Sequence, residues 1–69
     1  MRLRIYYNIR LQDGHDSWTY RDDHSRVVNF DTKTAAEIKI KQIFSAAASI
    51  NAAQIIRVSE DEVSHIDKS

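Results

Sequence analysis

The stretch Arg2-Leu3-Arg4-Ile5-Tyr6-Tyr7-Asn8-Ile9-Arg10-Leu11-Gln12 decides the fold. Leu3, Ile5, Tyr7, Ile9 and Leu11 share one parity, and Arg2, Arg4, Tyr6, Asn8, Arg10 and Gln12 share the other. Successive side chains of a strand point to opposite faces, so a period of two is the mark of a strand with unlike faces. Residues 2–12 therefore read as one long strand. Its apolar face belongs to a core, and its other face carries arginine, tyrosine and asparagine.

Working outward, Asp13-Gly14 ends this strand with a strong hairpin signal, because glycine accepts positive φ without a Cβ clash. The chain returns through Ser17-Trp18-Thr19-Tyr20-Arg21, with Trp18 and Tyr20 on one face. Asp22-Asp23-His24-Ser25 is turn-like, and Arg26 to Phe30 is strand-like again. This is either one long second strand with a bulge near 22–25 or two short strands. Thr32 can cap a following helix, and Thr34 with Glu37 has capping-box spacing as well. Residues 33–50 hold no helix breaker. Ala36, Ile40, Ile43, Phe44, Ala47 and Ile50 form one stripe that should lie on the Leu3/Ile5/Tyr7/Ile9/Leu11 face, and Asn51 stops the helix. Ala53 to Ser59 reads as the last strand, with Ile56 and Val58 on one face and Ile55 and Arg57 on the other.

These elements predict an α+β fold of order β-β-α-β. A three-stranded, or four-segment, antiparallel sheet carries one helix on one face. Residues 1–59 form a single domain. Residues 60–69 are an acidic tail or a short terminal helix, for which Ser59 with Glu62 and Val63 with Ile66 have suitable spacing. One helix covers one face of a sheet, so the face of Arg2, Arg4, Tyr6, Asn8 and Arg10 is expected to stay open.

Composition narrows the function classes. The chain has 69 residues, ten basic and ten acidic, no cysteine, no proline and one glycine. A chain of that length buries only about 60% of its unfolded surface. Neutral net charge disfavours a general nucleic-acid binder and favours association. No apolar run reaches the roughly 20 residues that span a bilayer. No leader of signal-peptide type stands at the N-terminus, which with the lack of cysteine points to the cytoplasm.

Arginine and tyrosine are enriched where proteins bind one another. The expected partner-binding residues are therefore Arg2, Arg4, Tyr6, Asn8 and Arg10. A second surface is the far side of the helix, Ile38, Gln42, Ser45, Ala46 and Ser49. It lacks the Lys and Glu of a solvated face, and its small residues suit a homodimer. His15, Asp16, Asp22, Asp23 and His24 gather near the hairpin without the spacing of any metal signature, and are read as polar loop residues. No catalytic motif, phosphate loop or cofactor fingerprint occurs, so no enzyme, cofactor or metal is expected.

The whole pattern resembles a loose group of very small proteins of bacteriophages and other mobile elements, some of them anti-CRISPR inhibitors. The features that carry it are the alternating Arg2 to Gln12 strand, Asp13-Gly14, the segment Asn29 to Ala36 that opens the helix, and Ile55 to Val58. The resemblance lies in architecture and transfers no site residue. It implies a non-enzymatic module that blocks a surface of a larger host or phage protein in the host cytoplasm. The alternative is a small nucleic-acid-binding regulator that uses the Arg/Tyr face.

Overall fold

The computed structural model describes residues 4–61. Its elements are β1 (Ile5–Asp13), β2 (Asp16–Thr19), α1 (Lys33–Ala46) and β3 (Ala52–Ser59). The strands form one antiparallel sheet in the order β2-β1-β3, and α1 packs across β1 and β3. This is the α+β, β-β-α-β arrangement that the sequence predicts. Arg2 and Leu3 of the opening stretch, and the proposed terminal helix beyond Asp61, lie outside the described residues.

The hairpin closes through a two-residue loop, Gly14-His15, between the paired Asp13 and Asp16. Gly14 has φ +60°. Positive φ at the first loop position only is the II′ pattern, whose twist matches that of the flanking strands.

Pairing of β1 with β3 sorts the two faces. Tyr7 stands opposite Arg57, Ile9 opposite Ile55 and Leu11 opposite Ala53 on the helix side. Tyr6 stands opposite Val58, Asn8 opposite Ile56 and Arg10 opposite Gln54 on the other. On the helix side Ile9, Leu11 and Ala36 are buried, and Tyr7, Tyr20, Phe30, Ile40, Ile43, Ile50, Ala53 and Ile55 pack around them. Ala36 has no side chain beyond Cβ, which lets the first half of α1 sit close to β1. Thr32 is the N-cap: its Oγ1 accepts from the Ala35 N–H at 3.1 Å, so the structure selects this start over the Thr34/Glu37 pair.

Two expectations about the helix are corrected. Phe44 does not lie in the core; it is 41% exposed. At 3.6 residues per turn it sits about 80° around from Ala36, on the rim of the stripe. The helix also ends at Ala46 rather than running to Ile50. Ala47, the C-cap, is already extended. Ile50 packs against the core, and the Asn51 N–H donates to the Gln12 carbonyl at 3.0 Å to open the β3 pairing. Alanine at 47 and 48 favours helix, but the chain must descend to the sheet before residue 52, and that requirement prevails.

The second strand proves to be one path along β1 with an excursion in it. After β2, Tyr20 donates to the Ile9 carbonyl at 2.7 Å, and the path resumes where Phe30 and Tyr7 exchange two hydrogen bonds of 2.9 Å. Residues 21–29 leave the sheet between these points as an ear. Arg21 bridges Val27 at its base. Asp22 donates to the Arg26 carbonyl at 2.8 Å, and Ser25 donates to the Asp22 carbonyl at 3.0 Å. Ser25 has φ +62°, the left-handed position that closes a turn followed by a bulge.

Ile9→Ala should cost about 2 to 5 kcal/mol, since Ile9 is fully buried and the cavity would be central. Phe44→Ala should cost only about 1 kcal/mol, because much of the ring is already in water. Urea unfolding of the two variants gives both numbers, and equal losses would contradict this core.

Candidate functional site

The face of the sheet away from α1 collects Arg4, Tyr6, Asn8, Arg10 and Gln12 from β1 and the residue before it. β3 adds Ala52, Gln54, Ile56 and Val58, and β2 adds Ser17 and Thr19, all set by the strand registers. The five residues expected there do not act as one patch. Arg2 lies outside the described residues. Asn8 is only 3% exposed, and this corrects its place in an exposed binding face. Its Nδ2 donates to the Val28 carbonyl at 3.0 Å and to Asn29 Oδ1 at 2.7 Å. The amide thus ties the foot of the ear to the middle of β1. The ear spans too many residues for its folding-back to be read from strand periodicity, so the burial of Asn8 was not legible in the sequence.

What remains open is two polar ends. At one end the Arg4 guanidinium lies over the Tyr6 ring, 5.4 Å from its centroid, and 3.7 Å from Asp31. Both partners of that ion pair are well exposed, so it adds little stability. The Arg4 N–H faces the Glu60 carboxylate at 3.4 Å. At the other end Arg10 projects among Gln12, Ser17 and Gln54, with His15 of the hairpin loop beside them. Arg10 Nη2 donates to the Ser17 hydroxyl at 2.9 Å, and Gln12 Nε2 donates to the Gly14 carbonyl at 3.2 Å. Among the described residues Arg10 has no carboxylate partner. A guanidinium has five donors, and Ser17 occupies one nitrogen. The rest can take a carboxylate in bidentate fashion. The two ends are six residues apart on one strand, or about 20 Å.

Gln12 shares the parity of Arg10 on β1, whereas Gln54 and Ser17 were not expected beside it. Only the pairing of β3 beside β1 brings Gln54 there. Sequence reading also gave no role to the helix side of β2. There α1 reaches only with Ile43, and Trp18, 39% exposed, lines a shallow groove with Leu11, Tyr20, Ile43 and Ile50. The outer helix residues Ile38, Gln42, Ser45, Ala46 and Ser49 are all exposed, Ile38 at 54%. Ser45 turns its hydroxyl to the Lys41 carbonyl at 3.1 Å, and Ser49 lies in the turn after α1.

The Asp/His group of the ear is used within the loop. The Asp22 carboxylate accepts from the His24 N–H at 2.8 Å and the Arg26 N–H at 3.0 Å. Chiefly the Arg26 bond holds the Asp22 carboxyl below the 3.8 of an ordinary aspartate. Partial desolvation opposes this. The His24 N–H and the charges of Arg26 and His24 add to the lowering. Among the described residues no three His, Asp or Glu side chains gather as a metal site would need, and no helix is long and apolar enough to cross a membrane.

No family model, curated protein or solved structure matches the chain.

Two outcomes follow from this geometry. Asn8→Ala should cost about 1 to 3 kcal/mol, because the Val28 carbonyl and the Asn29 side chain lose their buried partner. Hydrogen exchange should show the loss concentrated in residues 21–30. For Asp22 the folded pKa lies below the unfolded value, so its contribution holds above that value and fades as pH falls through the folded one. The His24 and Arg26 amide resonances should titrate with a midpoint below 3.8, and Asp22→Asn should abolish that transition.

Proposed function

We propose that this chain is a small non-enzymatic protein-binding module that occupies a surface of a larger protein, in the manner of a phage-encoded, anti-CRISPR-like inhibitor. The observation that carries this reading is Arg10. It is an exposed guanidinium without a carboxylate partner among the described residues, hydrogen-bonded to Ser17 on a sheet face that no helix of the described residues covers. Arg4 stacked on Tyr6 gives a second anchor of the kind found at protein interfaces. The partner surface should be acidic where it meets Arg10, and apolar where it meets Tyr6 and Ile56.

A nucleic-acid partner fits less well. Asp31 and Glu60 flank the Arg4 end. A phosphate backbone running over both arginines would pass those carboxylates. Affinity for nucleic acid comes mainly from an uninterrupted run of cations. The residues around Arg10, two glutamines, a serine and His15, suit hydrogen bonding to a partner.

The test is capture from host lysate with the chain immobilised, followed by titration of the captured protein. Arg10→Ala should weaken binding by roughly 30-fold or more, the effect of losing about 2 kcal/mol at a hot spot. Arg10→Glu should abolish it, and Arg4→Ala with Tyr6→Ala should do so as well. The Arg10 variants should melt like the parent, since Arg10 is exposed, and the double variant should lose only the modest stability of the half-buried Tyr6 ring. Binding to an oligonucleotide that falls steeply with salt, with no protein captured, would favour the nucleic-acid regulator instead.

A further inference from the structure

The two edges of the sheet differ. The β2 edge is four residues long, has Asp13 and Asp16 at its hairpin end, and is interrupted by the ear before Phe30. Short length, charge and interruption are the features that keep an edge from pairing with another chain. The β3 edge lacks the first and the last of these and carries a single charge. It runs eight residues, Ala52–Ser59, with no proline, glycine or bulge, and its register with β1 is unbroken from Ile5↔Ser59 to Gln12↔Ala52. Arg57 is its only charge.

The direction of its backbone groups follows from one hydrogen bond. The Glu60 N–H donates to the Arg4 carbonyl at 2.9 Å, in line with the β1–β3 register. Hydrogen-bonded and non-bonded pairs alternate along an antiparallel ladder. The even-numbered residues of β3 therefore face β1. Ala53, Ile55 and Arg57 turn their N–H and C=O groups outward, where the sheet ends.

We propose that β3 pairs antiparallel with β3 of a second copy of the chain, about a twofold axis through Ile55. This inference is independent of the partner-binding reading. The strand's own sequence names a second copy as the occupant. In that register Ile55 lies opposite Ile55, Ala53 opposite the partner's Arg57, Gln54 opposite the partner's Ile56, and Ala52 opposite the partner's Val58. The outward-facing pairs exchange both of their hydrogen bonds. Around the central Ile55 pair each large side chain meets a smaller or flexible one, and the single charge meets an alanine. Centring the axis on Ile56 instead would bring the two Arg57 side chains onto neighbouring diagonal positions, which is unfavourable. The exposed Ile56 gains cover from the partner's Gln54. A net charge of zero gives two copies no mutual repulsion. The outer helix face offers side chains alone, whereas Ala53, Ile55 and Arg57 offer outward backbone donors and acceptors in a matching row.

Sedimentation from low micromolar to millimolar protein, with amide exchange over the same range, decides the matter. The expected result is a shift from 8.0 kDa to twice that mass, with the Ile55 and Arg57 amides becoming protected as concentration rises. Arg57→Pro removes an outward N–H and leaves the β1–β3 bonds in place, so it should weaken the dimer at least about tenfold. Should that variant fail to fold, Ile56→Lys places an edge lysine on an exposed position and should have the same effect. A monomer at every concentration overturns the proposal. So does a dimer that survives both edge variants, or one that Ala46→Glu on the helix face disrupts while the edge variants do not.

Discussion

The pairing of β1 with β3 is the constraint on which the rest of this small molecule depends. It joins residues about fifty positions apart in sequence and makes β1 the central strand. It puts Ile55 and Ala53 beside Ile9 and Leu11, which gives α1 a surface wide enough to pack on. A hairpin alone is marginal in water, and a third strand with a covering helix is what makes such a sheet stable. The same pairing dictates where α1 must stop. Ile50 has to reach the core and Asn51 has to reach Gln12, so the alanines after Ala46 leave the helix that their propensity favours.

The parts of the fold legible in the sequence are those fixed by short periods. The alternation of the first strand, seen from Ile5 to Gln12, the glycine of the hairpin and the cap at Thr32 each depend on a few neighbouring residues, and each appears where expected. The parts that were not legible depend on contacts between distant segments. Phe44 belongs to the apolar stripe by spacing, yet it sits on the rim of that stripe and stays 41% exposed. Asn8 belongs to the polar face by parity, yet the ear folds back and claims its amide. Strand parity says which side a residue is on. It does not say what lies over it.

The candidate site was legible to the same degree. Parity alone gave Arg4, Tyr6 and Arg10 a common face. The structure divides that face, because the buried Asn8 amide lies between two exposed cations. Arg4 is drawn toward Asp31, while Arg10 is bonded to the Ser17 hydroxyl and pairs with no carboxylate among the described residues. The difference matters for recognition, since an arginine already facing a carboxylate must give it up to bind another. Arg10 gives up nothing of that kind, so the hairpin end is the stronger point of attachment for an acidic surface.

The ear explains why the two edges of the sheet are unequal. By leaving β1 between Tyr20 and Phe30 it breaks the outer strand into two short pieces, and it places Asp22, Asp23 and Arg26 beyond the break. A strand interrupted in this way cannot present a continuous ladder. β3 has no such insertion, because its eight residues are needed in full to hold β1. The requirement that makes β3 a good partner for the central strand thus leaves its far side equally regular. Its outward donors and acceptors are the ones in this sheet best ordered for a further strand. Any chain that pairs there antiparallel about a twofold axis keeps both Arg10 faces on the same side of one continuous sheet. The partner-facing surface would then be doubled without a change in its chemistry.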